Sequence, residues 1–173
     1  MEIKLIKPDK SLEIDYRAAI AEFRELGENN IESLFSRCAD NFEVYLKATL
    51  QAEGGYGLPE GYVPFTTYWS VVNNEKIVGF SNFRHYLTPS LKIEGGHIGY
   101  SIRPSERNKG YGTQQLALVL DECRWMAYTR VMVTCDFDNI GSHKIIEANG
   151  GKLTGVAISP RSHKKVNQYW IDL

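Results

Sequence analysis

The first third of the chain changes from a two-residue to a helical spacing of apolar positions. Residues 2–7 alternate polar and apolar side chains, which predicts a strand, and residues 10–26 and 38–52 repeat apolar side chains at helical spacing, which predicts two helices. Glycines and prolines concentrate in residues 53–64, which predicts a long loop, and we expect part of the substrate mouth there. The inward positions expected from these spacings are Ile3, Leu5 and, as a third candidate, Lys7 in the strand, Leu12, Tyr16, Ile20 and Phe23 in the first helix, and Phe42, Tyr45, Leu46 and Leu50 in the second.

The rest of the chain alternates strands with helices. The tripeptide Asn73-Asn74-Glu75 between the next two strands is typical of a hairpin turn. The order of strand, two helices, three antiparallel strands, helix, strand, helix and two strands predicts a mixed α/β (α+β) sheet with helices on its faces. The predicted strands cover residues 65–73, 76–86, 96–103, 130–135, 152–158 and 166–172, and the predicted helices cover residues 139–148 and 112–127, the latter with Leu116, Val119, Leu120, Cys123 and Ala127 on one face.

Composition narrows the class of protein. The chain has 173 residues, of which 43% are hydrophobic and 24% charged, and this fits one globular domain. A net charge of −1 gives no basic excess for nucleic acid, and the apolar runs are too short to cross a membrane, so we expect neither partner. Cys38, Cys123 and Cys135 form no close pair and the four histidines lack metal-binding spacing, so we expect reduced thiols in the cytoplasm and no metal site.

A strand-to-helix turn around residues 103–113 carries the most specific chemistry in the sequence. Gly110 and Gly112 have no Cβ, so a ligand can approach their backbone closely. The first N–H groups of a helix have no partner within the helix and, with the helix dipole, favour an anion. Arg107 and Lys109 add positive charge, and the turn therefore predicts a diphosphate site, although an ordinary surface turn with two glycines has the same local pattern.

Two other phosphate-binding motifs fit this turn less well. A dinucleotide fingerprint needs a third glycine where Gln115 stands, and the preceding strands indicate hairpins and not βαβ units. The string of a P-loop occurs nowhere in the chain.

The pattern Arg107-x-x-Gly110-x-Gly112 resembles the acetyl-CoA signature of the GNAT superfamily of N-acetyltransferases. The resemblance extends to Arg103-Pro104-Ser105-Glu106, and the segment from Asp138 to Gly151 resembles the second cofactor segment of the superfamily. The stretch from Gly95 to Ser105 is similar to bacterial members. The resemblance implies a single acyl-CoA N-acyltransferase domain over residues 1–173, with a GNAT-like, mixed, mostly antiparallel and twisted sheet of six to seven strands and helices on both faces.

The resemblance also implies acetyl-CoA as co-substrate and assigns its contacts. The N–H groups of the signature would hold the diphosphate, and the end of the preceding strand would pair with the pantetheine. Asn139 would bond the pantetheine arm or the start of its helix, with Ser142 one turn on, and simple N-capping by Asn139 is an alternative role. The cofactor residues so expected are Ser101, Ile102, Arg103, Arg107, Asn108, Lys109, Gly110, Tyr111, Gly112, Thr113, Asn139 and Ser142.

The general acid of the superfamily is missing from its usual place. Many members carry a tyrosine seven residues after the asparagine, where it can protonate the departing thiolate, and this chain has Ile146 there. The donor is then a water, Tyr100, Tyr111 or another tyrosine, or the thiolate leaves unassisted.

The amine acceptor must lose a proton before it attacks, because an alkyl amine with a pKa of about 10 is protonated at neutral pH. His97 is the candidate base and Glu94 the second candidate, and each has a structural alternative as a buried histidine or a solvated charge. Residues 27–64 and 87–95, with Arg84, His85 or Tyr86, are expected to form the acceptor pocket.

We expect transfer by direct attack to a primary amine of a small molecule or peptide, in a possible homodimer. A non-catalytic acyl-CoA-binding module on the same fold is the alternative. The sequence does not identify the amine.

Overall fold

Seven strands form one open, mixed sheet with helices on both of its faces, as the sequence predicts. The computed structural model describes residues 3–28 and 41–173. The strands, in spatial order β1-β2-β3-β4-β5-β7-β6, are numbered along the chain as Ile3–Ile6 (β1), Phe65–Val72 (β2), Lys76–Arg84 (β3), Ile98–Ile102 (β4), Arg130–Asp136 (β5), Lys152–Ile158 (β6) and Lys165–Asp172 (β7). The helices of the described residues are Glu13–Glu25 (α1), Phe42–Glu53 (α2), Pro89–Ile93 (α3), Tyr111–Trp125 (α4) and Ile140–Ala148 (α5).

The pairing of the strands is antiparallel except between β4 and β5, which run parallel. The predicted hairpin between β2 and β3 is confirmed. Asn73 and Asn74 both adopt positive φ angles, 55° and 60°, and Glu75 N–H closes the turn on Val72 O at 3.1 Å, so three residues separate the paired Val72 and Lys76.

Alternate residues of the strands divide the core into two layers, because successive side chains point to opposite faces. On one face Trp69 and Phe80 pack under α1 and α2. On the other face Tyr68 and Phe83 pack under α4 and α5. All four inward residues predicted for the first helix are buried in the core. In the second predicted helix, Phe42 and Tyr45 are buried as well.

Three expected inward positions are wrong. Leu50 is exposed because α2 buries positions spaced at 3.6 residues, namely Phe42, Tyr45, Thr49 and Ala52, whereas the step from Leu46 to Leu50 drifts off that face. Ala127 lies beyond the end of α4 at Trp125, with a φ of 62°, and is exposed.

Lys7 is the third, since it follows the end of β1 and its ammonium contacts Glu53 at 2.7 Å on the surface.

The short helix α3 was not predicted. Pro89 occupies its first turn and the Thr88 hydroxyl accepts a hydrogen bond from Leu91 N–H, which is a local capping pattern. Residues 38–40 of the second predicted helix, and Cys38 with them, lie outside the described residues.

Candidate functional site

The parallel strands β4 and β5 separate almost as soon as they meet. Their register contains the single pair Ile98↔Val133. Arg103 N–H donates to Val78 O on β3 at 2.9 Å, so the alternation of an antiparallel ladder turns the N–H and C=O groups of Tyr100 and Ile102 towards β5. No strand in the described residues pairs with them on that side. Ile102 C=O accepts there from Arg107 Nε at 3.1 Å, and the remaining backbone groups of this edge border the opening.

A cavity of about 760 Å³ occupies this opening and continues to the start of α4. The structure brings most of the predicted cofactor residues together at its wall. Arg103 and Lys109 do not line it. The predicted residues that do are Ser101, Ile102, Arg107, Asn108, Gly110, Tyr111, Gly112, Thr113, Asn139 and Ser142.

The turn before α4 presents a row of free backbone donors. Gly110 is the N-cap, with a φ of +81°, and the first hydrogen bond of the helix is donated by Gln114 N–H to Gly110 O. No described group accepts a hydrogen bond from the N–H groups of residues 108–113, whereas Arg107 N–H bonds Pro104 O. These free donors at a helix start favour an anion.

The two glycines of the turn serve different purposes. A Cβ on Gly110 would meet nothing within 4 Å, so this residue is needed for its positive φ and for the open space above it. A Cβ on Gly112 would lie 2.5 Å from Ile145 Cδ1, so Gly112 lets α4 pack closely against α5. Gln115, where a dinucleotide fingerprint needs a third glycine, is buried and donates to Phe80 O at 2.7 Å.

The positive charges of the turn are already paired with carboxylates. Arg107 makes two hydrogen bonds to Glu28, of 2.7 and 2.5 Å, which hold the pKa of Glu28 below its ordinary value. Lys109 and Lys76 both contact the buried carboxylate of Glu106, at 3.0 and 2.5 Å. The backbone N–H groups of this turn therefore remain as free donors for a diphosphate.

Arg103 holds the first helix against the end of β4. Its buried guanidinium contacts Asp15 at 2.8 Å and Glu22 at 2.7 Å, two carboxylates on one face of α1. Asp15 also accepts from Ile77 N–H and Glu22 from Ser105 N–H, so α1 braces both β3 and the turn. Sequence reasoning missed Asp15 and Glu22, although their seven-residue spacing on a helix could have paired them.

The second segment supports the cavity from the side of β5. Asn139 Oδ1 accepts from Ser142 N–H at 3.0 Å and caps α5, while both residues line the cavity. The Ser142 hydroxyl lies 2.7 Å from the Tyr100 hydroxyl of β4. Side chains of β4 and α5 thus meet across the opening.

Comparison with known proteins decides the family. The model of the acetyltransferase (GNAT) domain matches residues 24–152, about three quarters of the chain. The chain belongs to this family. It is therefore an acetyltransferase, and acetyl-CoA is its co-substrate. No curated protein matches the sequence.

Solved structures of acetyltransferases share the fold at low sequence identity. The ribosomal L7/L12 alpha-N-protein acetyltransferase RimL in complex with coenzyme A is 18% identical, with a TM-score of 0.72 over 100% of this chain and 95% of that one. The microcin C7 self-immunity acetyltransferase MccE in complex with acetyl-CoA and AMP is 17% identical, with a TM-score of 0.67 over 99% and 93%. A chimera of spermidine N-acetyltransferase from Vibrio cholerae and hSSAT is 13% identical, with a TM-score of 0.66 over 99% and 96%.

In this acetyltransferase, the position that holds the general acid in many members of the superfamily is part of the hydrophobic core. Ile146 is fully buried, and a Cβ on Gly151 would lie 2.3 Å from its Cγ2, so the backbone crowds this side chain. Two of the alternative donors, Tyr100 and Tyr111, line the cavity. Burial raises the pKa of Tyr100, so its hydroxyl keeps its proton at neutral pH.

His97 does not line the cavity. Its Nδ1 accepts from Met132 N–H at 2.8 Å, while its ring packs near Phe83, Tyr128 and Trp170. Burial, with a smaller contribution from Arg84, lowers the pKa of His97 to about 4. The ring is neutral at pH 7, and its one acceptor nitrogen is occupied.

Glu94 also lies outside the cavity wall. Ser159 Oγ donates to its Oε2 at 2.6 Å and Arg161 donates to its Oε1 at 3.1 Å. Each carboxylate oxygen keeps a second lone pair, and 21% of the side chain is exposed.

Four other residues named in the sequence analysis, His85, Tyr86, Cys123 and Cys135, do not line the cavity. His85 Nε2 lies 2.9 Å from the Thr66 hydroxyl, and Tyr86 is exposed after the end of β3. Cys123 and Cys135 are buried, and burial raises their pKa values to about 12 and about 11.

Residues 3–28 and 41–173 contain neither a metal-binding cluster nor a membrane-spanning helix. No group of three or more His, Cys, Asp or Glu side chains there could hold a metal ion. No helix in the same ranges is long and apolar enough to cross a membrane.

Proposed function

We propose that this acetyltransferase moves an acetyl group from acetyl-CoA to a primary amine of a small molecule or a peptide, by direct attack of the amine. One observation carries the proposal. The edge of β4 that no described strand covers and the free N–H groups before α4 border the same cavity. A ligand such as acetyl-CoA can therefore place its amide-bearing part along β4 and its anionic part at the start of α4.

The residues present fit acetyl-CoA. We assign the diphosphate to the N–H groups of residues 108–113. We assign the pantetheine to the edge of β4 at Tyr100 and Ile102, which no described strand covers, with Asn139 and Ser142 opposite. Gly110 leaves the space that the diphosphate needs. Arg103, Arg107 and Lys109 position this turn through their ion pairs. When bound, acetyl-CoA supplies a thioester that an amine can attack.

Direct transfer is supported by the placement of the two cysteines within the described residues. Cys123 and Cys135 do not line the cavity, and their raised pKa values keep them as thiols, which are poor nucleophiles. No serine or threonine of the cavity has a histidine beside it in the described contacts.

The proton donor proposed for the leaving thiolate is Tyr100. Tyr100 lines the cavity, and its hydroxyl stays protonated at neutral pH and lies 2.7 Å from the hydroxyl of Ser142, which also lines the cavity. Tyr100→Phe should lower kcat about tenfold or more, within the range of general acid catalysis, with little change in the Kd of acetyl-CoA. Tyr111→Phe is the matched control, and a larger loss of kcat in that variant would move the role to Tyr111.

Of the two predicted bases, Glu94 has the better setting. Its carboxylate retains free acceptor positions and partial exposure, whereas the acceptor nitrogen of His97 is bonded to Met132. Because Glu94 does not line the cavity, we propose that it receives the proton of the amine through a water.

The alternative function, a non-catalytic acyl-CoA-binding module, rests on Ile146 in place of the usual acid. Calorimetric titration of the full chain with acetyl-CoA, with NAD and ATP as controls, tests the cofactor first. Release of free thiol from acetyl-CoA with a panel of primary amines then tests catalysis. Selective binding with thiol release supports the transferase, binding with no release supports the module, and no binding rejects both.

A further inference from the structure

Arg84, the last residue of β3, carries a partly buried positive charge that no described carboxylate neutralises. Its Nη1 donates to Gly95 O at 3.0 Å and to Gly96 O at 3.2 Å. Its Nε and Nη2 have no partner in the described part of the chain, and together they form the side of a guanidinium that matches a carboxylate. Burial lowers the pKa of Arg84, and the charge of Arg161 acts in the same direction while Tyr62 opposes it.

The guanidinium lies beside the cavity, at the end away from the cofactor turn. A Cβ on Gly99, a residue of the cavity wall, would be 3.5 Å from Arg84 Nη2. Asn82 pairs with Gly99 in the β3–β4 register. Arg84 lies two residues after Asn82 on β3, so its side chain projects from the same face of the sheet as Asn82 and Gly99. From Gly99 to Arg103, at the start of the turn, β4 extends roughly 13 Å. An anion at Arg84 is therefore separate from the diphosphate.

Arg161 reaches the same place from the connection between β6 and β7. Its guanidinium contacts Glu94, the residue before the carbonyl that Arg84 holds. The side chain of Arg161 is 76% exposed and that of Glu94 is 21% exposed. Arg161 thus pairs with Glu94, whereas Arg84 bonds only the carbonyl groups of the next two residues, so the positive charge of Arg84 has no described carboxylate partner next to the end of the cavity.

We infer that Arg84 and Arg161, which contact the neighbouring residues Glu94, Gly95 and Gly96, form a site for the carboxylate of the acceptor, and that the acceptor is an amine with a carboxylate close to its nitrogen, as in an α-amino acid. The inference rests on the proposed function, because it specifies the amine of that transfer. The free side of Arg84 binds the carboxylate through two parallel N–H donors. A polyamine would bring further positive charge to this place and be repelled.

The test compares acceptors that differ in this charge alone. The full chain is assayed for thiol release from acetyl-CoA with each standard α-amino acid and with its α-carboxamide. The best-used acid should exceed its amide about tenfold or more in kcat/KM, mainly through KM, as expected for a charged hydrogen-bonded contact. The amide is the less basic amine and is deprotonated more readily, so amine reactivity alone would give the opposite preference.

Three variants test which arginine produces the preference for the acid over its amide. Arg84→Met should reduce the ratio of acid to amide to near one, and Arg161→Ala, at an exposed position, should reduce it about threefold. Arg124→Ala removes a similarly exposed arginine that pairs with Asp121 on α4, and should leave the ratio unchanged. If Arg84→Met does not fold, the ratio in Arg161→Ala decides.

The outcomes separate this inference from the proposed function. No binding of acetyl-CoA overturns both. Equal turnover of acids and amides, or turnover of amides alone, overturns only the carboxylate site. So does a ratio that is unchanged in Arg84→Met and Arg161→Ala, or release of thiol with other amines but with none of the acids.

Discussion

At the scale of single residues, Gly110 combines a left-handed backbone with open space above it. Gly110→Val should weaken acetyl-CoA binding about tenfold or more, because a branched side chain fills the space assigned to the diphosphate and disfavours φ of +81°. Gly150 has the same φ of +81° and equally open surroundings, but it does not line the cavity. Calorimetry should therefore show that Gly150→Val binds acetyl-CoA like the parent, and equal loss in both variants would contradict the assignment.

His97 couples stability to pH. Its folded pKa of about 4 lies below the ordinary 6.5, so the unfolded chain binds the proton first as the pH falls. The contribution of the neutral ring is complete above pH 6.5 and is lost progressively from pH 6.5 to about 4, by on the order of 2 kcal/mol.

The comparison with His97→Asn isolates this effect, since asparagine can still accept from Met132 N–H. Urea unfolding at pH 7 and at pH 4.5 should show that the parent loses more stability than the variant. An equal loss in the two proteins would mean that His97 titrates normally.

At the scale of elements, the Arg103 cluster joins α1 to the sheet. Arg103→Met leaves the carboxylates of Asp15 and Glu22 without their partner, and we expect the free energy of unfolding to fall by about 3 kcal/mol. Arg17→Met breaks a surface pair with Glu13 within α1 and should cost about 0.5 kcal/mol or less. Denaturant unfolding of both variants measures the difference, and similar losses would show that the cluster is no stronger than a surface pair.

The same cluster connects stability to the site, because α1 also contacts the turn through Glu22 and Ser105. Glu28, just after α1, holds Arg107 in the cavity wall. The first helix is therefore part of the support of the cofactor turn, although none of the sequence motifs includes it.

At the scale of the whole molecule, the cavity exists because one parallel pair interrupts an otherwise antiparallel sheet. The chain leaves β4 through the turn and α4 before it returns as β5, and the two strands share only the pair Ile98↔Val133. A ligand that fills this opening would join the two halves of the sheet.

Ligand binding should therefore stabilise the fold. Acetyl-CoA at a hundred times its Kd should raise the free energy of unfolding by about 2.7 kcal/mol and Tm by about 5–10 °C for a domain of this size. Thermal unfolding with acetyl-CoA, and with NAD as the control, measures the shift. A similar shift with NAD would show that the cavity is not selective.

The amino-acid sequence by itself determined the elements and the cofactor turn. Hydrophobic spacing and turn residues act over a few positions, so the strands, four of the five α-helices in the described residues and the hairpin at Asn73 could be predicted. The signature from Arg107 to Gly112 named the family. Only the tertiary structure decided the partners of the charged residues. Arg107 pairs with Glu28 at a separation of 79 residues, and Arg103 pairs with Asp15 at 88. It also placed His97 outside the cavity wall and left Arg84 beside the cavity with no carboxylate partner among residues 3–28 and 41–173. Such placements depend on how distant segments pack, and no local pattern encodes them.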